Sequence, residues 1–587
     1  MKMPFTKSRK LHSLLLASAI TLLLTSNSVS AQSTWGQVYS ILQQNCTSSG
    51  CHDGTIAPVL LGTEADVYNN LIGVIPTNPE ANSRGYKLVD KGYPHLSYLL
   101  KKVNNGLDAD NGLDNQALGG VMPDAGAPAL SNKEIDLIHV WILNGAPETG
   151  IVADTALINM YHNGMGLVQA TPPPAPDPSE GFQIHLGPIF LGPNDGVYDN
   201  EKEFFIKYKL PMISDTMEIT RIESFIDVES HHYIIYKFDD AQSAGNVTQE
   251  GLREVTNFFN AFTDGTTMVA AWQNTSDINL PQNTAYFWEP NLTLDLNLHL
   301  RNYDTDSVLK AVVYTNVYLQ PKQAGTIEMI SDLVLFNTIP LQFISCPFSD
   351  FCIPADGADH NFVGNVTSDD LEGLSSNDSM YIWMLSSHTH KYGIGFNIYE
   401  RNPGGPNDEK GTQVYDGFYN FSYTFNQGFY DYEDPAVRYF DPNEFVLNAG
   451  EGLVHEATFN NTGTVDVGFG ITTEDEMMLT FFQYTKVRPS SGNPTGIKEI
   501  QTNNEVSLYP NPTTGTVTIS INSANPSIDS KRSFSLYDLV GKEVAHEKFS
   551  SGKSELVFHK GQLKSGVYLY QVRDNGVSVG NGKLILY

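Results

Sequence analysis

The chain has 587 residues, which at roughly 150 residues per domain predicts about four domains rather than one small module. Lysine and arginine number 35 and aspartate and glutamate 66, and the formal charge of −31 repels phosphate backbones and anionic lipid surfaces, which argues against nucleic acid as a partner. Only 17% of the residues are charged, 41% are hydrophobic, and glycine (49) and proline (31) are frequent. This balance favours turn-rich β domains over helical bundles or disordered chains.

The N-terminus predicts a secretory signal peptide over residues 1–31. Basic residues between Lys2 and Lys10 precede the apolar run Leu14–Leu24, and small residues ending at Ala31 stand at the positions that a signal peptidase reads. A membrane anchor is the alternative, but the run is short for a bilayer and polar residues follow it. No later stretch approaches about 18 apolar residues, so we expect an exported, soluble mature chain with no membrane span.

A cysteine pair followed by a histidine marks the first folded domain, predicted at residues 32–152. In c-type haem attachment, two thiols bond to the vinyl groups and the histidine after the second thiol binds the iron. Cys46, Cys51 and His52 have this order, but four residues separate the thiols instead of the usual two. A short disulfide loop in an exported protein is the alternative, and the pair alone leaves both interpretations open.

The rest of this domain favours haem. Met122 is its only methionine and lies in a Met-Pro loop, while Ser131 and Glu134 predict the capped start of a helix with apolar residues at helical spacing. The arrangement resembles class I cytochrome c domains of bacterial surface proteins. The resemblance implies one haem c, with thioethers at Cys46 and Cys51 and the axial ligands His52 and Met122.

The middle of the chain predicts strands. A Pro-rich linker is expected at residues 153–180, because ATPPPAPDPSE lacks apolar content and a stiff polyproline stretch separates folded units. After it, short β-branched and aromatic runs are bounded by Gly, Pro, Asn and Asp, which predicts two tandem antiparallel β-sandwiches of jelly-roll type at 181–321 and 322–490. The expected fold class is therefore multidomain and mainly β, with one small α-helical domain.

Four polar islands in these strands carry the candidate chemistry, and the first two hold three histidines. Adjacent residues of a regular strand point to opposite faces, so His231 and His232 can reach one ion only where the strand begins or bulges. In NLTLDLNLHLRN the leucines share one face and His299 lies on the other. A lone histidine is usually structural, but three on two strands suit copper or zinc.

The third and fourth islands add two histidines and a sulfur. His388 and His390 are two residues apart, a spacing that points both side chains to one face of a strand. Met477 and Met478 follow an acidic segment and precede the strand LTFFQY. A methionine alone is more often core filler. Two imidazoles with a thioether favour copper, because a soft sulfur stabilises Cu(I).

The order of the four islands along residues 181–490 resembles that of the copper type II, ascorbate-dependent monooxygenases. This is the family of peptidylglycine α-hydroxylating monooxygenase and dopamine β-hydroxylase. The resemblance implies two copper ions. The implied ligands are His231, His232 and His299 for an electron-transfer copper and His388, His390 and Met477 for a catalytic copper, with Met478 as the alternative thioether.

Two departures from the family pattern are informative. Members that amidate peptides carry an arginine two residues before His-Thr-His, where it grips the substrate carboxylate, whereas this chain has Ser386. A peptide that ends in glycine is therefore not the expected substrate. The family's several disulfides are also largely missing, and Cys346 and Cys352 are the remaining candidate pair.

The resemblance implies a secreted enzyme that hydroxylates a C–H bond of a small-molecule or peptide-like organic substrate with O2, with an ascorbate-like reductant or a redox protein as electron donor. Because a tether raises the local concentration of donor near acceptor, the fused haem is a candidate relay to copper. The competing interpretations are a noncatalytic surface protein that binds copper or passes electrons through haem, and an adhesin with vestigial metal sites.

The C-terminal residues 496–587 predict a small Ig-like sandwich, since alternating strands are separated by Gly, Asn and Pro turns. YPNPTTG from Tyr509 and GVYLY from Gly566 resemble the C-terminal sorting domain of the type IX secretion system; a carbohydrate-binding or adhesive sandwich is the alternative. The resemblance implies passage through the periplasm of a Gram-negative bacterium to the medium or the cell surface, with the secretion machinery as a partner.

Overall fold

The computed structural model describes residues 32–104, 116–123, 127–168, 173–194, 200–210, 215–226, 230–257, 260, 262–272, 276–335, 346, 351–371, 373–417, 430–433, 435–489, 506–511, 513–521, 532–537, 543–550, 553–574 and 577–586. The predicted signal peptide, residues 1–31, lies outside them. The fold is mainly β, with 44% strand and 16% helix in several antiparallel sheets and a few helices, as the composition predicts. No helix in these ranges is long and apolar enough to cross a membrane.

The N-terminal unit is helical and folds around its own apolar core. Its helices are α1 (Thr34–Cys46), α2 (Glu64–Leu71), α3 (Pro79–Ser83), α4 (Tyr98–Val103), α5 (Asn132–Leu143) and α6 (Thr155–Met160). Helices α1 and α5 pack together, with the rings of Trp35 and Trp141 stacked at a centroid distance of 5.0 Å. Helix α5 begins where the sequence predicts: the Ser131 hydroxyl accepts from the Glu134 N–H, and Glu134 Oε2 accepts from the Ser131 N–H.

Part of the expected linker is folded. Helix α6 buries Ile158 in the core of the helical unit, and a π turn, Tyr161–Met165, follows it. Residues 173–177 form no regular element, but the Asn316 amide donates to the Pro174 carbonyl at 3.1 Å. The structure differs here from a free spacer, because an apolar side chain in this segment finds a place in the neighbouring core.

Two sheets form the first sandwich and enclose a core of aliphatic and aromatic side chains. Its elements are β1 (Gly181–Leu191), β2 (Glu201–Lys209), β3 (Met217–Ile226), β4 (Ser230–Phe238), α7 (Ala241–Asn246), β5 (Arg253–Val255), β6 (Thr266–Trp272), β7 (Ser276–Asn279), β8 (Thr284–Trp288), β9 (Thr293–Arg301), β10 (Leu309–Pro321) and β11 (Ile327–Glu328). The strand orders are β1-β10-β3-β8-β11, with β7 beside β3, and β5-β2-β9-β4-β6. Pairing is antiparallel except between β11 and β8, and β11 extends this sheet past residue 321.

The second sandwich has a separate core that includes Phe396, Phe459 and Phe482. Its strands are β12 (Ile330–Leu335), β13 (Cys352–Ile353), β14 (Asp359–Val366), β15 (Ser379–Thr389), β16 (Gly393–Arg401), β17 (Lys410–Asp416), β18 (Val437–Tyr439), β19 (Phe445–Asn448), β20 (Leu453–Asn460), β21 (Val467–Gly468) and β22 (Met478–Thr485). The sheet orders are β12-β22-β15-β18, with β19 also beside β15, and β14-β20-β16-β17. The predicted disulfide between Cys346 and Cys352 is confirmed.

The C-terminal unit is a pair of small antiparallel sheets over the core that contains Phe534 and Leu584. Their orders are β23-β24-β27 and β26-β25-β28-β29. The strands are β23 (Val506–Tyr509), β24 (Thr516–Ile521), β25 (Arg532–Tyr537), β26 (Glu543–Lys548), β27 (Glu555–His559), β28 (Gly566–Asp574) and β29 (Val577–Leu586).

The two central sandwiches meet through one sheet of each. Phe205, Ile234 and Tyr236, on β2 and β4, pack with Leu333 and Phe481, on β12 and β22. Each of these two sheets is therefore apolar on both faces, one face turned to its own core and the other to the neighbouring sandwich. The candidate site lies in this interface.

Candidate metal centre

The first sandwich contributes three histidines from the neighbouring strands β4 and β9. His232 lies directly opposite His299, and the register shifts between Ser230 and His232, so His231 is the extra residue of a bulge. The predicted condition for two adjacent imidazoles to converge is thereby met. The ring centroids of His231 and His232 lie 4.9 and 5.0 Å from that of His299, and one nitrogen of each ring falls within a common 4.8 Å.

The position of His299 follows from the leucine pattern of β9. Leu296, Leu298 and Leu300 are buried in the core of the first sandwich. Because side chains alternate along a strand, Asn297 and His299 must face away from that core and toward the second sandwich. The sequence predicts that His299 lies on the face opposite the leucines, but not that this face meets the second sandwich.

The second sandwich contributes His388 and His390, at the end of β15. Their ring centroids are 5.2 Å apart, and both side chains are buried. Thr389, between them, points the other way, and its hydroxyl lies 3.1 Å from that of Tyr430. The i, i+2 spacing thus places both imidazoles on the interface face of the sheet, as the sequence predicts.

Strand pairing distinguishes the two methionines. Met478 pairs with Thr389 and is buried in the core of the second sandwich. Met477, the preceding residue, lines the interface cavity together with His388 and His390. Residues directly opposite each other in an antiparallel pair share a face, so the pairing places Met477 and not Met478 on the histidine side.

The five histidines form one contiguous cluster. The ring centroid of His231 lies 5.4 Å from that of His388 and 5.6 Å from that of His390, and His231 belongs both to the group with His232 and His299 and to the group with His388 and His390. The resemblance assigns His231 to one ligand set alone. In the structure the direct contact of the two sheets brings it within reach of both.

Hydrogen bonds select which ring nitrogen remains available. His299 Nε2 lies 2.8 Å from Glu201 Oε1, and His232 Nε2 lies 2.9 Å from Asn297 Oδ1. On His390 it is Nδ1 that is engaged, 3.1 Å from the carbonyl oxygen of Asp475. An N–H donated in each of these contacts leaves the other ring nitrogen with a free lone pair for a metal.

Burial keeps three of the imidazoles neutral. Desolvation, reinforced by the neighbouring histidines, lowers the pKa of His231 and of His388 well below its usual range. Desolvation likewise lowers the pKa of His390 to about 4. Neutral rings are the form that binds metal ions, so these three are ready to act as ligands at neutral pH.

Two buried carboxylates support the cluster in different ways. Burial raises the pKa of Glu201, but hydrogen bonds from His299 and Thr473 outweigh it and bring the pKa down to about 2. Burial prevails at Glu476 and raises its pKa to about 8, although the N–H groups of His390 and Tyr392 donate to it at 2.9 and 2.6 Å. Glu476 therefore ties the end of β15 to the segment that carries Met477.

These residues fit a copper ion. His231 Nε2 is buried and has no hydrogen-bond partner, which is unfavourable unless something else occupies it. Several neutral imidazoles and one thioether form a donor set of nitrogen and soft sulfur, which suits copper better than magnesium or calcium.

The candidate haem residues lie in the helical unit. His52 Nδ1 lies 2.9 Å from the Pro58 carbonyl oxygen, which leaves Nε2 as the available ring nitrogen, and the His52 N–H donates to the Cys46 carbonyl at 3.1 Å. The thiols of Cys46 and Cys51 are not bonded to each other, and burial raises the pKa of Cys46 to about 11. Met122 packs against the core that contains Cys46.

Sequence reasoning missed the hydrogen-bonding partners of the histidines. Glu201 and Glu203 start β2 two residues apart, and Glu203 Oε1 accepts from the Asn297 amide at 2.7 Å and lies 3.4 Å from His232 Nε2. The signal available was two acids at i, i+2 directly before the apolar run Phe204–Ile206. Without the pairing of β2 with β9, these acids look like an ordinary solvated strand end.

Comparison with known proteins identifies the C-terminal unit. Residues 507–586 match the family described as the secretion system C-terminal sorting domain. The chain thus carries a type IX sorting domain, which directs a protein of a Gram-negative bacterium to the medium or the cell surface and engages the secretion machinery. The predicted sorting domain and localisation are confirmed.

No curated protein matches the chain in sequence. The major capsid protein P2 of bacteriophage PM2 is 7% identical, with a TM-score of 0.21 over 50% of this chain and 99% of the capsid protein. A β-glucuronidase of Parabacteroides merdae is 8% identical, with a TM-score of 0.14 over 44% of this chain and 36% of the glucuronidase. Likenesses this weak say nothing about function.

Proposed function

We propose that the two central sandwiches form a secreted copper-dependent monooxygenase that hydroxylates a C–H bond of an organic substrate. One observation carries the proposal: five imidazoles from both sandwiches converge, and four of them line an apolar cavity together with Met477. Side chains that lie up to 246 positions apart, from His231 to Met477, meet there. The order of these residues along the chain is that of the copper type II monooxygenases.

The candidate ligands divide by sandwich, with His231 within reach of either group. Copper held there would supply one-electron chemistry between Cu(I) and Cu(II). The overall reaction consumes substrate R–H, O2, two electrons and two protons and yields R–OH and water, so an ascorbate-like reductant or a redox protein must supply the electrons. The proposed ligands are His231, His232 and His299 from the first sandwich and His388, His390 and Met477 from the second.

The protein's own groups hold this arrangement in place. Glu201 and Asn297 fix the rings of His299 and His232, and the Asp475 carbonyl fixes that of His390. The Thr473 N–H and hydroxyl both donate to Glu201 Oε1, at 2.8 and 2.7 Å, so one carboxylate joins a first-sandwich histidine to the loop that leads to Met477. The apolar walls of the interface exclude water from the reacting C–H bond.

The helical unit is proposed to carry a c-type haem that passes electrons toward copper. The free Nε2 of His52, next to Cys51, supports haem ligation. The unit also docks on the first sandwich: Asp136 forms a 2.9 Å ion pair with Lys310, and the ring of His95 stacks on Tyr208 at a centroid distance of 4.0 Å. Docking keeps the proposed electron donor, the haem, close to the proposed acceptor, the copper site.

Metal and haem analysis of the exported protein tests the cofactors. The expected content is two copper ions and one haem per chain, the haem detected as a pyridine haemochrome. Replacing Cys46 and Cys51 by alanine should abolish the haemochrome signal without changing the copper content. A protein with intact thiols and no haem would contradict the haem proposal.

Oxygen consumption tests the catalytic proposal against a copper carrier. Anaerobically reduced protein should consume O2 faster when a hydroxylatable substrate is present, and a variant with His388→Ala and His390→Ala should lose this dependence. His360→Ala, on β14 outside the site, is the matched control and should behave as the wild type. Oxygen uptake that is independent of substrate would identify a carrier instead.

A further inference from the structure

The interface cavity extends from the histidine cluster along an apolar wall. Leu479, Phe481 and Gln483 alternate along β22, and all three line the cavity together with Met477, which precedes this strand. The opposite wall includes Ile234 of the first sandwich. Its volume is about 140 Å³, and an apolar protein cavity of about this size accommodates a benzene ring.

The described lining contains no lysine and no arginine. Its one carboxylate, Glu203, already accepts from the Asn297 amide at 2.7 Å and faces His232 at 3.4 Å. A carboxylate or an ammonium group brought into this cavity would therefore lack a free counter-charge. Burial of an unpaired charge is strongly unfavourable, so the lining discriminates against ions of both signs.

Two neutral polar side chains of the described lining, Trp272 and Gln483, each have one buried atom without a hydrogen-bond partner. The Trp272 ring stacks on Tyr233 in the core of the first sandwich, so Gln483 is the candidate for a contact with a ligand. The Gln483 side-chain amide donates from Nε2 to the Tyr286 hydroxyl at 2.7 Å and to Ser331 Oγ at 3.0 Å. Gln483 is 1% exposed, and its Oε1 has no hydrogen-bond partner. If the amide were turned over, Nε2 would be the unpartnered atom instead, so either orientation leaves one amide atom available to a ligand.

We infer that the cavity binds an uncharged, mainly apolar substrate of about the size of a substituted benzene ring, whose single neutral hydrogen-bonding group pairs with Gln483. The inference rests on the proposed function only in treating the bound molecule as a substrate. The binding selectivity itself follows from the residues that line the cavity.

Binding to the metal-free mature protein tests this inference separately from catalysis. The probes are p-toluamide, p-toluate and 4-methylbenzylamine, which share one ring and differ in head-group charge at pH 7. We expect p-toluamide to bind at least about tenfold more tightly than either ion. Equal or tighter binding of p-toluate or 4-methylbenzylamine would overturn the inference.

Two variants sharpen the test. Gln483→Leu should weaken p-toluamide about fivefold and leave toluene binding unchanged, because one neutral hydrogen bond is lost. Gln413→Leu, at an exposed position of β17, is the matched control and should change neither. An unchanged p-toluamide affinity in Gln483→Leu would show that Gln483 does not bind the ligand. The comparison of the three head groups uses the wild-type protein, so it does not depend on the folding of a variant.

The outcome separates this inference from the proposed function. Selective binding of p-toluamide without substrate-dependent O2 uptake by the copper-loaded protein would refute the monooxygenase and keep the binding selectivity. If O2 uptake depended on substrate but only a charged molecule supported it, the monooxygenase proposal would be kept and the binding selectivity refuted.

Discussion

The two sandwiches present their imidazoles by different means. The second uses a regular strand end, where the i, i+2 spacing of His388 and His390 suffices. The first needs a bulge, since His231 is the extra residue between Ser230 and His232. The first arrangement depends on tertiary pairing with β9, whereas the second follows from strand geometry alone.

The supporting groups differ in the same way. In the first sandwich, side chains of neighbouring strands hold the rings: Glu201 holds His299, and Asn297 holds His232. In the second, a backbone carbonyl and the buried Glu476 hold His390. Side-chain partners can be removed one at a time by substitution, so the first half of the site is the easier one to dissect.

The largest expected effect comes from the bulged residue. Because His231 is within reach of both ligand groups, His231→Ala should lower copper affinity by roughly a hundredfold or more at both, whereas His299→Ala should affect only the first group. Copper per chain after dialysis against a chelator distinguishes the two variants. Urea unfolding of both metal-free variants is measured alongside, because each substitution also removes a buried ring and leaves a cavity. Two retained copper ions in His231→Ala would contradict the shared role.

The methionine pair gives a matched comparison at the strand end of the second sandwich. Met477→Leu should weaken Cu(I) binding by about tenfold to a hundredfold, because it removes the soft sulfur from the cavity, and it should leave stability unchanged. Met478→Leu should do the opposite: normal Cu(I) affinity, with a stability change below about 1.5 kcal/mol in the core. Competition with a Cu(I) chelator and urea unfolding measure the two quantities. If Met478→Leu weakened Cu(I) binding and Met477→Leu did not, β22 would have to pair with β15 in a register shifted by one residue.

The carboxylate that joins the two halves should have a smaller effect. Glu201→Gln leaves the His299 ring without its ionic acceptor, and we expect copper affinity of the first group to fall about tenfold. Thr473→Val removes only the hydroxyl bond between the sandwiches and should preserve that affinity. Copper titration of both variants makes the comparison. Equal losses of copper affinity in the two variants would mean that Glu201 supports the site by joining the two sandwiches and not by holding the His299 ring.

Sequence patterns predict those features that depend on local periodicity. The side of β9 that carries His299 and the shared face of His388 and His390 follow from alternation, and the start of α5 follows from its capping pair. Pairing-dependent features did not follow: the choice of Met477 over Met478 is set by the register of β22 against Thr389.

The remaining differences also arise from tertiary contacts. Ile158 lies in a segment that its proline content marks as a linker, yet the neighbouring helical core accepts it. Glu201 looks like the solvated start of a strand, but pairing with Arg301 on β9 carries it inside. The closeness of His231 to the second sandwich depends on how two sheets pack, which no local pattern encodes.

The smallest expected effect concerns a histidine on the other side of the second sandwich. His455 is buried within that sandwich, with Nδ1 3.0 Å from the Thr480 hydroxyl, and desolvation lowers its pKa to about 4. An unfolded histidine titrates near pH 6.5. Between these values the unfolded chain binds a proton that the folded chain does not, so stability falls as the pH drops from about 6.5 toward 4.

Replacing this imidazole by a neutral amide should therefore flatten the pH dependence. We expect His455→Asn to reduce the loss of unfolding free energy between pH 7 and pH 5 by about 2 kcal/mol, measured by urea denaturation of the metal-free protein. His360→Asn, at a partly exposed position of β14, is the control for replacing a histidine of the same sandwich outside its core. Identical losses in His455→Asn and the wild type would mean that His455 takes up its proton without unfolding.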